Sequence, residues 1–305
     1  MSGPADVKGQ CVPGDGTVAA IVEPRHKDLG GFGVERILPA VGRRHLGPFV
    51  FFDHMGSASF HFDAGHGIDV RPHPHVCLAT VTYLFDGAIV HRDTLGSNQT
   101  IRPGDINWMV AGRGIAHSER TGPADRASGG PAHGLQLWCA LPEEHEETEP
   151  SFDHLPAAKL PMLRERDKTA RVLAGTAWGV TAPTRVLSPT FYVDVQLVAG
   201  GSIDVPADYS ERGIFVVEGA VQLGAHTLAP GPIVVLEPGV PVTLRAQQPA
   251  RVIMLGGESV GERHIWWNFV ASSRDRIEAA KADWVAGKFG KIPGDDVEFI
   301  PLPNE

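Results

Sequence analysis

The most strand-like run in this sequence is Leu78-Ala79-Thr80-Val81-Thr82-Tyr83-Leu84-Phe85, which is rich in β-branched and aromatic residues. The run stops at Asp86-Gly87, a pair that favours a tight turn, and a second short run from Ala88 to Asp93 follows it. Together these stretches predict a β-hairpin.

Similar short runs follow along the rest of the chain. The strands predicted from them are 104–110, 134–140, 191–198, 214–217, 233–236 and 251–255. The 36 Gly and 25 Pro are spread along the sequence, as expected for turns between many short strands. The pattern predicts an all-β protein built of sandwiches or barrels. One long helix is predicted at about 273–287, with Ser272 or Ser273 as its cap.

The length of 305 residues suits two domains of ordinary size. We expect a flexible tail at 1–18, a first barrel at 19–158, and a second barrel at 159–305 that includes the helix. The connection between the barrels is placed within 142–168. Its acidic run, Glu143-Glu144-His145-Glu146-Glu147, is interpreted as a solvated segment.

The charge balance argues against some partners. A net charge of −9 gives no attraction to nucleic acid or to an anionic membrane, and the Arg43-Arg44-His45 cluster is interpreted as a solvated loop. The three cysteines have no spacing typical of disulfides or zinc, which predicts reduced thiols. Neither a signal peptide nor an 18-residue apolar run is evident, so we expect a cytoplasmic location.

Histidine is concentrated in the first half, since only two of the 14 lie beyond residue 155. His73 and His75 are two positions apart before the first strand run, and His117 and Glu119 repeat this spacing. Residues at i and i+2 of a strand point to the same face, so both pairs can converge on one ion. Three imidazoles and a carboxylate suit iron, manganese, nickel, copper or zinc, and they leave coordination positions open for a substrate.

Long motifs in the sequence resemble those of the pirin family. They are 47–54, 70–75, 103–109, 111–119, 134–138 and 264–270. The resemblance implies a bicupin, with two cupin (jelly-roll-like) β-barrels in tandem, and one mononuclear iron-type site formed by His73, His75, His117 and Glu119. It implies a second barrel without metal, and the sequence there agrees, because Tyr209-Ser210-Glu211-Arg212 offers no comparable set of ligands.

The resemblance implies two classes of function. Some pirins are quercetinases, which open a flavonol ring with dioxygen, and Glu119 would then be both a ligand and the acceptor of the substrate's proton. Others regulate enzymes or transcription factors, so the alternative is an iron-binding regulator that acts through a protein partner without turnover. The fold does not choose between these functions. We favour the dioxygenase, a quercetin 2,3-dioxygenase-like oxidoreductase.

Two positions depart from the pattern of related proteins. Many cupins carry a glutamate ligand shortly after the histidine pair, whereas this sequence has Ala79, which is expected on the same strand face as the histidines. Cys77 is expected in phase with His73 and His75, where the family pattern has glycine. We interpret Cys77 as a buried, inert thiol, with a place beside the metal as the alternative.

Overall fold

The computed structural model describes residues 11–14, 16–29, 32–56 and 61–304. Within them the chain forms two β-barrels in tandem and ends with a helix and an extended segment, which confirms the predicted all-β fold class. Of the predicted tail, residues 1–10 and 15 lie outside the described residues.

Short strands follow one another closely along the first half of the chain. In the first half the strands are β1 (Cys11–Pro13), β2 (Val18–Val22), β3 (Arg25–Asp28), β4 (Gly33–Leu38), β5 (Phe49–Met55), β6 (His61–Phe62), β7 (Asp69–His75), β8 (Leu78–Asp86), β9 (Ile89–Asp93), β10 (Asn98–Ile101), β11 (Ile106–Val110), β12 (Ile115–Arg120), β13 (Gly130–Pro131), β14 (His133–Ala140) and β15 (Ser151–Leu155). Helix α1 (Pro123–Ser128) lies between β12 and β13, and single 3₁₀ turns occur at Glu143–His145 and Ala157–Lys159.

The second half also consists mainly of short strands. Its strands are β16 (Met162–Arg164), β17 (Lys168–Ala177), β18 (Val180–Thr181), β19 (Thr190–Leu197), β20 (Ser202–Asp204), β21 (Glu211–Glu218), β22 (Val221–Leu223), β23 (His226–Leu228), β24 (Ile233–Leu236), β25 (Thr243–Ala246), β26 (Ala250–Gly257), β27 (His264–Trp266) and β28 (Phe269–Ala271). Helix α2 (Arg274–Val285) follows them.

Two antiparallel sheets form the first barrel, with strand orders β15-β11-β8-β14-β5-β4-β3 and β10-β9-β12-β7. The predicted hairpin is wrong, because β8 pairs with β11 and β14 in one sheet whereas β9 pairs with β10 and β12 in the other. The turn at Asp86-Gly87 therefore carries the chain between sheets. The reason is visible in β8 itself, whose first seven residues are all buried, as is typical of a central strand with neighbours on both edges.

The second barrel pairs a sheet of order β1-β2-β24-β21-β26-β19-β17-β16 with a smaller one of order β20-β25-β22-β23. Its largest sheet includes β2, which pairs with β24, whereas the sequence assigned 19–22 to the first barrel. Val18, Ala20 and Val22, at alternate positions of β2, are buried, so this strand has one apolar face. That face is buried where β2 joins the sheet of the second barrel.

The two largest sheets pack face to face, and the largest of the buried apolar clusters lies between them. Phe49, Phe52 and Tyr83 of the first barrel meet Tyr192 and Phe215 of the second in one buried cluster. Burial of this many aromatic side chains is a strong stabilising contribution, because each removes a large apolar area from water. The barrels therefore share a core instead of being joined only by a linker.

The terminal helix and the segment after it pack on the first barrel. Helix α2 begins after Ser273, whose side chain accepts the backbone N–H of Arg276 at 3.2 Å, as the sequence predicts. Its buried residues Ile277 and Ala280 join a cluster with Phe269 at the first barrel. Among the described residues, no helix is long and apolar enough to cross a membrane.

The acidic run in the connection is not solvated throughout, so that interpretation is wrong for Glu146. This side chain is 7% exposed, accepts the backbone N–H of Ser272 at 2.8 Å and pairs with Arg263 at 3.1 Å. A buried carboxylate needs such partners, because burying it without them is costly. The run therefore ties the C-terminal segment to the first barrel.

Candidate metal centre

Three of the four predicted ligands come together inside the first barrel. His73 and His75 lie on β7, and His117 lies on β12, directly opposite His73 in the pairing of these strands. All three side chains are buried, and their ligand atoms lie within 4.8 Å of one another. Within the described residues, this is the one group of three or more His, Cys, Asp or Glu side chains with that geometry.

Backbone carbonyls fix the orientation of two of the rings. The Nδ1–H of His73 donates to the carbonyl of Arg71 at 2.8 Å, and that of His75 donates to the carbonyl of Asn268 at 2.9 Å. Each ring then carries its lone pair on Nε2. The Nε2 of His117 is buried and, among the described atoms, has no hydrogen-bond partner. An unpaired nitrogen beside two others is what a metal ion requires, so the residues fit a metal.

Burial keeps the three rings in the form that binds metals. It lowers the pKa of His73 to about 4, and it lowers the pKa values of His75 and His117 well below their usual range. The proximity of the rings adds to this effect for His75 and His117, because a second positive charge nearby is unfavourable. At neutral pH the rings are therefore uncharged and can donate electron pairs to a cation.

Glu119 lies beside this group, although its carboxylate oxygens are not within 4.8 Å of all three histidine ligand atoms. Its carboxylate is buried, and its Oε1 atom lies 3.1 Å from the hydroxyl of Thr82. A β-bulge between His117 and Glu119 shifts the pairing with β7, so Glu119 lies opposite Val70. Burial raises the pKa of Glu119, which favours a carboxyl group able to accept and hold a proton.

A cavity of about 350 Å³ opens beside the histidines, which is a volume suited to a small organic ligand. His73, His75 and Glu119 line it on one side, together with Phe51 and Trp138. The rings of Phe51 and Trp138 are stacked 4.1 Å apart, and Trp138 meets His75 edge to face. The wall is therefore aromatic next to the metal-binding nitrogens.

A buried ion pair supplies the polar part of the same cavity. Arg36 binds both carboxylate oxygens of Asp53, at 2.7 and 2.8 Å, and its guanidinium group lies 4.3 Å from the centre of the Phe51 ring. Burial raises the pKa of Asp53, and the hydrogen bonds from Arg36 oppose that effect. Arg36 and Asp53 are not among the predicted site residues, although Asp53 lies inside one of the family-like motifs.

The predicted phase of Cys77 and Ala79 is wrong. Cys77 has a φ of 58°, in the left-handed region, so the alternation of β7 does not continue into β8. Its thiol lies 3.9 Å from a carboxylate oxygen of Glu147, and burial raises the pKa of the thiol to about 12. Ala79 belongs to the cluster between the barrels, while Thr82 faces the site.

In the second barrel the segment 209–212 has other contacts. Glu211 accepts the backbone N–H of Gly47 at 2.6 Å and lies within 3.7 Å of Arg43 and 3.6 Å of His45. The interpretation of the Arg43-Arg44-His45 cluster as a solvated loop is therefore wrong for Arg43 and His45. These residues form a polar contact between the barrels.

Two family profiles match this chain. The profile described as "Pirin" matches residues 31–139, and the profile described as "Pirin C-terminal cupin domain" matches residues 192–290, so more than half of the chain is covered. The chain belongs to the pirin family. Both barrels of this pirin-family protein are accordingly cupin domains, as the motifs in the sequence predicted.

Similar proteins extend across nearly the whole length. A "Pirin-like protein" of Caulobacter vibrioides is 47% identical over 93% of this chain and 99% of its own, and "Pirin" of Homo sapiens is 31% identical over 84% and 88%. Among solved structures, the quercetin 2,3-dioxygenase from Acinetobacter baumannii matches with a TM-score of 0.86 and 33% identity, covering 93% of this chain and 95% of that one.

Proposed function

We propose that this protein is a metal-dependent dioxygenase of the quercetinase type, which opens the ring of a flavonol with dioxygen. The observation that carries the proposal is the buried group of three neutral histidines, two of which, His73 and His75, line an aromatic cavity of about 350 Å³. The similarity to the quercetin 2,3-dioxygenase from A. baumannii supports it. One mononuclear metal ion is the cofactor, with iron as the first choice and manganese, nickel, copper or zinc as alternatives.

His73, His75 and His117 would hold the metal through their Nε2 atoms, and Glu119 would complete the set. A bound metal supplies Lewis acidity, which lowers the pKa of a hydroxyl group that it contacts. Glu119 lines the cavity two residues from His117 and accepts the proton of the flavonol 3-hydroxyl.

The walls of the cavity orient the substrate. Phe51 and Trp138 offer apolar surface to the flat ring system of a flavonol, as aromatic walls do in many ligand pockets. Arg36 and Asp53 lie on the same wall and supply charged groups for the ring hydroxyls. Trp267, from the C-terminal segment, also lines the cavity and adds apolar surface to it.

The experiment measures metal content and flavonol-dependent oxygen uptake on the same samples. His75→Ala and His117→Ala each remove one nitrogen ligand, so both should lose metal and turnover together. The loss of metal affinity should exceed the roughly 10–100-fold that is typical when a residue hydrogen-bonded to a ligand is changed. Glu119→Gln keeps the shape but not the basicity, and it should retain part of the metal while losing most of the turnover. His26→Ala, at a side chain that is 67% exposed, is the matched control and should behave as wild type.

One result would contradict the proposal. It is that wild-type protein loaded with iron, and in turn with manganese, nickel or copper, consumes no oxygen with any flavonol. The dioxygenase function would then be wrong, and a regulatory role through a protein partner would replace it.

A further inference from the structure

A second polar pair lies next to His117 and does not belong to the lining of the cavity. His91 and Asp93 are on β9, which pairs with β12 so that Asp93 lies opposite His117 and His91 lies opposite Glu119. The side chains of His91 and Asp93 are 4% and 0% exposed. The Nδ1 atoms of His117 and His91 are 3.4 Å apart, and His91 Nε2 is 3.0 Å from Asp93 Oδ2.

The hydrogen bonds of Asp93 determine which nitrogen atoms of His91 and His117 carry a proton. Its Oδ1 accepts the backbone N–H groups of Leu95 at 2.9 Å and Ser97 at 3.0 Å, and its Oδ2 accepts Nε2–H of His91. A neutral His91 protonated on Nε2 has its lone pair on Nδ1, which can only accept. His117 must therefore donate from its own Nδ1, and its lone pair is left on Nε2, which has no other partner among the described atoms.

We propose that His91 and Asp93 are positioning residues that fix the tautomer and ring orientation of His117 for metal binding. This inference rests on the proposed function in one respect, namely that the three histidines bind a metal. It adds two residues that take no part in the ligand set. A histidine ligand that donates its other N–H group to an acceptor backed by a carboxylate is held in place and is a stronger electron donor.

The contrast with the other two ligands supports the assignment. His73 and His75 each donate Nδ1–H to a backbone carbonyl, an acceptor that no substitution removes. The acceptor that faces His117 is a side chain instead, so the chain must encode it in its sequence. Phe152 stacks on His91 at 4.1 Å with an angle of 8° between the ring planes, which holds this acceptor in one orientation.

Asp93→Asn is the decisive variant. It exchanges the donor and acceptor roles in the hydrogen bonds of His91 with little change in shape. The oxygen of the new side-chain amide can still accept from Leu95 and Ser97, but its NH₂ group donates to His91 Nε2. His91 is then protonated on Nδ1 and donates to His117, whose proton moves to the metal-facing Nε2. Metal affinity, measured by competition with a chelator, should fall about 10–100-fold.

Asp105→Asn is the matched control. Asp105 is also an aspartate of the first barrel that accepts two backbone N–H groups, from Arg102 at 3.2 Å and Ala157 at 2.8 Å, but it is not connected to the metal ligands. Its variant should bind metal within about twofold of wild type, since its partners are backbone groups and His154, at 3.8 Å, none of which is a metal ligand. The melting temperature of each apoprotein is recorded beside the affinity.

A second variant and a spectroscopic measurement complete the test. His91→Phe preserves the stacking on Phe152 but removes the acceptor, and it should weaken metal binding in the same way. In protein loaded with Cu²⁺, electron paramagnetic resonance should show coupling to one nitrogen fewer in Asp93→Asn than in wild type. Metal binding as tight as wild type in both variants, with an unchanged copper spectrum, would overturn the proposal. So would a loss of affinity that merely follows an equal loss of apoprotein stability.

These readouts do not depend on turnover. If wild type binds metal but oxidises no flavonol, while Asp93→Asn still weakens the metal, the proposed function fails and the positioning pair stands. If the wild type turns over flavonol and Asp93→Asn keeps both metal affinity and the copper spectrum, the pair fails and the proposed function stands.

Discussion

His75 donates its Nδ1–H to the backbone carbonyl of Asn268, which lies 193 residues further along the chain, over a distance of 2.9 Å. Asn268 occupies the turn of the β27–β28 hairpin, and Phe269 forms a β-bridge with Val76, next to His75. The C-terminal segment therefore holds a metal-binding histidine of the first barrel in its orientation. Its end also reaches the cavity, where Ile300 donates its backbone N–H to the carbonyl of Pro72 at 2.8 Å.

Shortening the chain after Val297 should weaken substrate binding without loss of metal. The truncation removes Ile300 from the wall of the cavity but retains the hairpin that contacts His75. Loss of one apolar contact of this size raises KM for a flavonol by about 10-fold. Phe299→Ala, at a side chain that is 57% exposed, is the control and should keep the wild-type KM. An unchanged KM after truncation would show that Ile300 does not contact the substrate.

We expect one metal ion per chain. The described residues contain one group of closely spaced ligand side chains, and Glu211 of the second barrel is engaged by Gly47 and Arg43. Elemental analysis after loading and gel filtration should therefore give one equivalent. Two tightly bound equivalents would require a second site and contradict the expectation.

Removal of the metal should abolish activity but leave the protein folded. Separate apolar clusters fill both barrels and the space between them, so folding does not depend on the metal as it does in a zinc finger. The melting temperature should fall by a few degrees on chelation, because a ligand that binds the native state stabilises it. Thermal unfolding followed by circular dichroism checks this. Cooperative unfolding at room temperature on adding chelator would be the contrary result.

Cys77→Ser should leave the metal content and the activity at wild-type levels. The thiol points to Glu147 and lies outside the group of ligand atoms, and its pKa is raised to about 12 by burial, so no thiolate forms near neutral pH. Metal analysis and oxygen uptake on the variant test this expectation. Loss of the metal would place the sulfur among the ligands.

His54 should make the fold sensitive to acid. Its Nε2 lies 3.0 Å from that of His133, and burial, with a further effect of His133, lowers its pKa to about 4 from the ordinary 6.5. Between these two pKa values the unfolded chain binds a proton that the native state does not, so the free energy of unfolding decreases as the pH falls through this window. The loss from this group is on the order of 3 kcal/mol.

His54→Gln removes that titration. Urea unfolding at about pH 7 and about pH 4.5 should therefore show a smaller loss of stability in the variant than in wild type. The same loss in both proteins would mean that His54 is protonated in the native state. His73, His75 and His117 add to the acid sensitivity of the apoprotein, so both proteins are compared without metal.

Local sequence was enough to predict many elements of this structure. The expected strands at 134–140 and 233–236 correspond to β14 and β24, and the helix with its Ser273 cap is present as α2. These features depend on the alternation of apolar residues, on turn residues and on caps, which are properties of a few neighbouring positions. The spacing of His73 and His75 is local in the same sense, because β geometry alone places both rings on one face.

Tertiary structure decided what depends on distant partners. The run after Asp86-Gly87 joins another sheet because β11 and β14 occupy both edges of β8. The sequence of residues 78–93 does not indicate this pairing. Cys77 takes a left-handed conformation, so the alternation of side chains along β7 does not continue into β8. The partners of the histidines, Asn268 for His75 and His91 for His117, come from other parts of the chain. Strand periodicity shows which side chains share a face, but the acceptors that orient a ring are set by long-range packing of the folded chain.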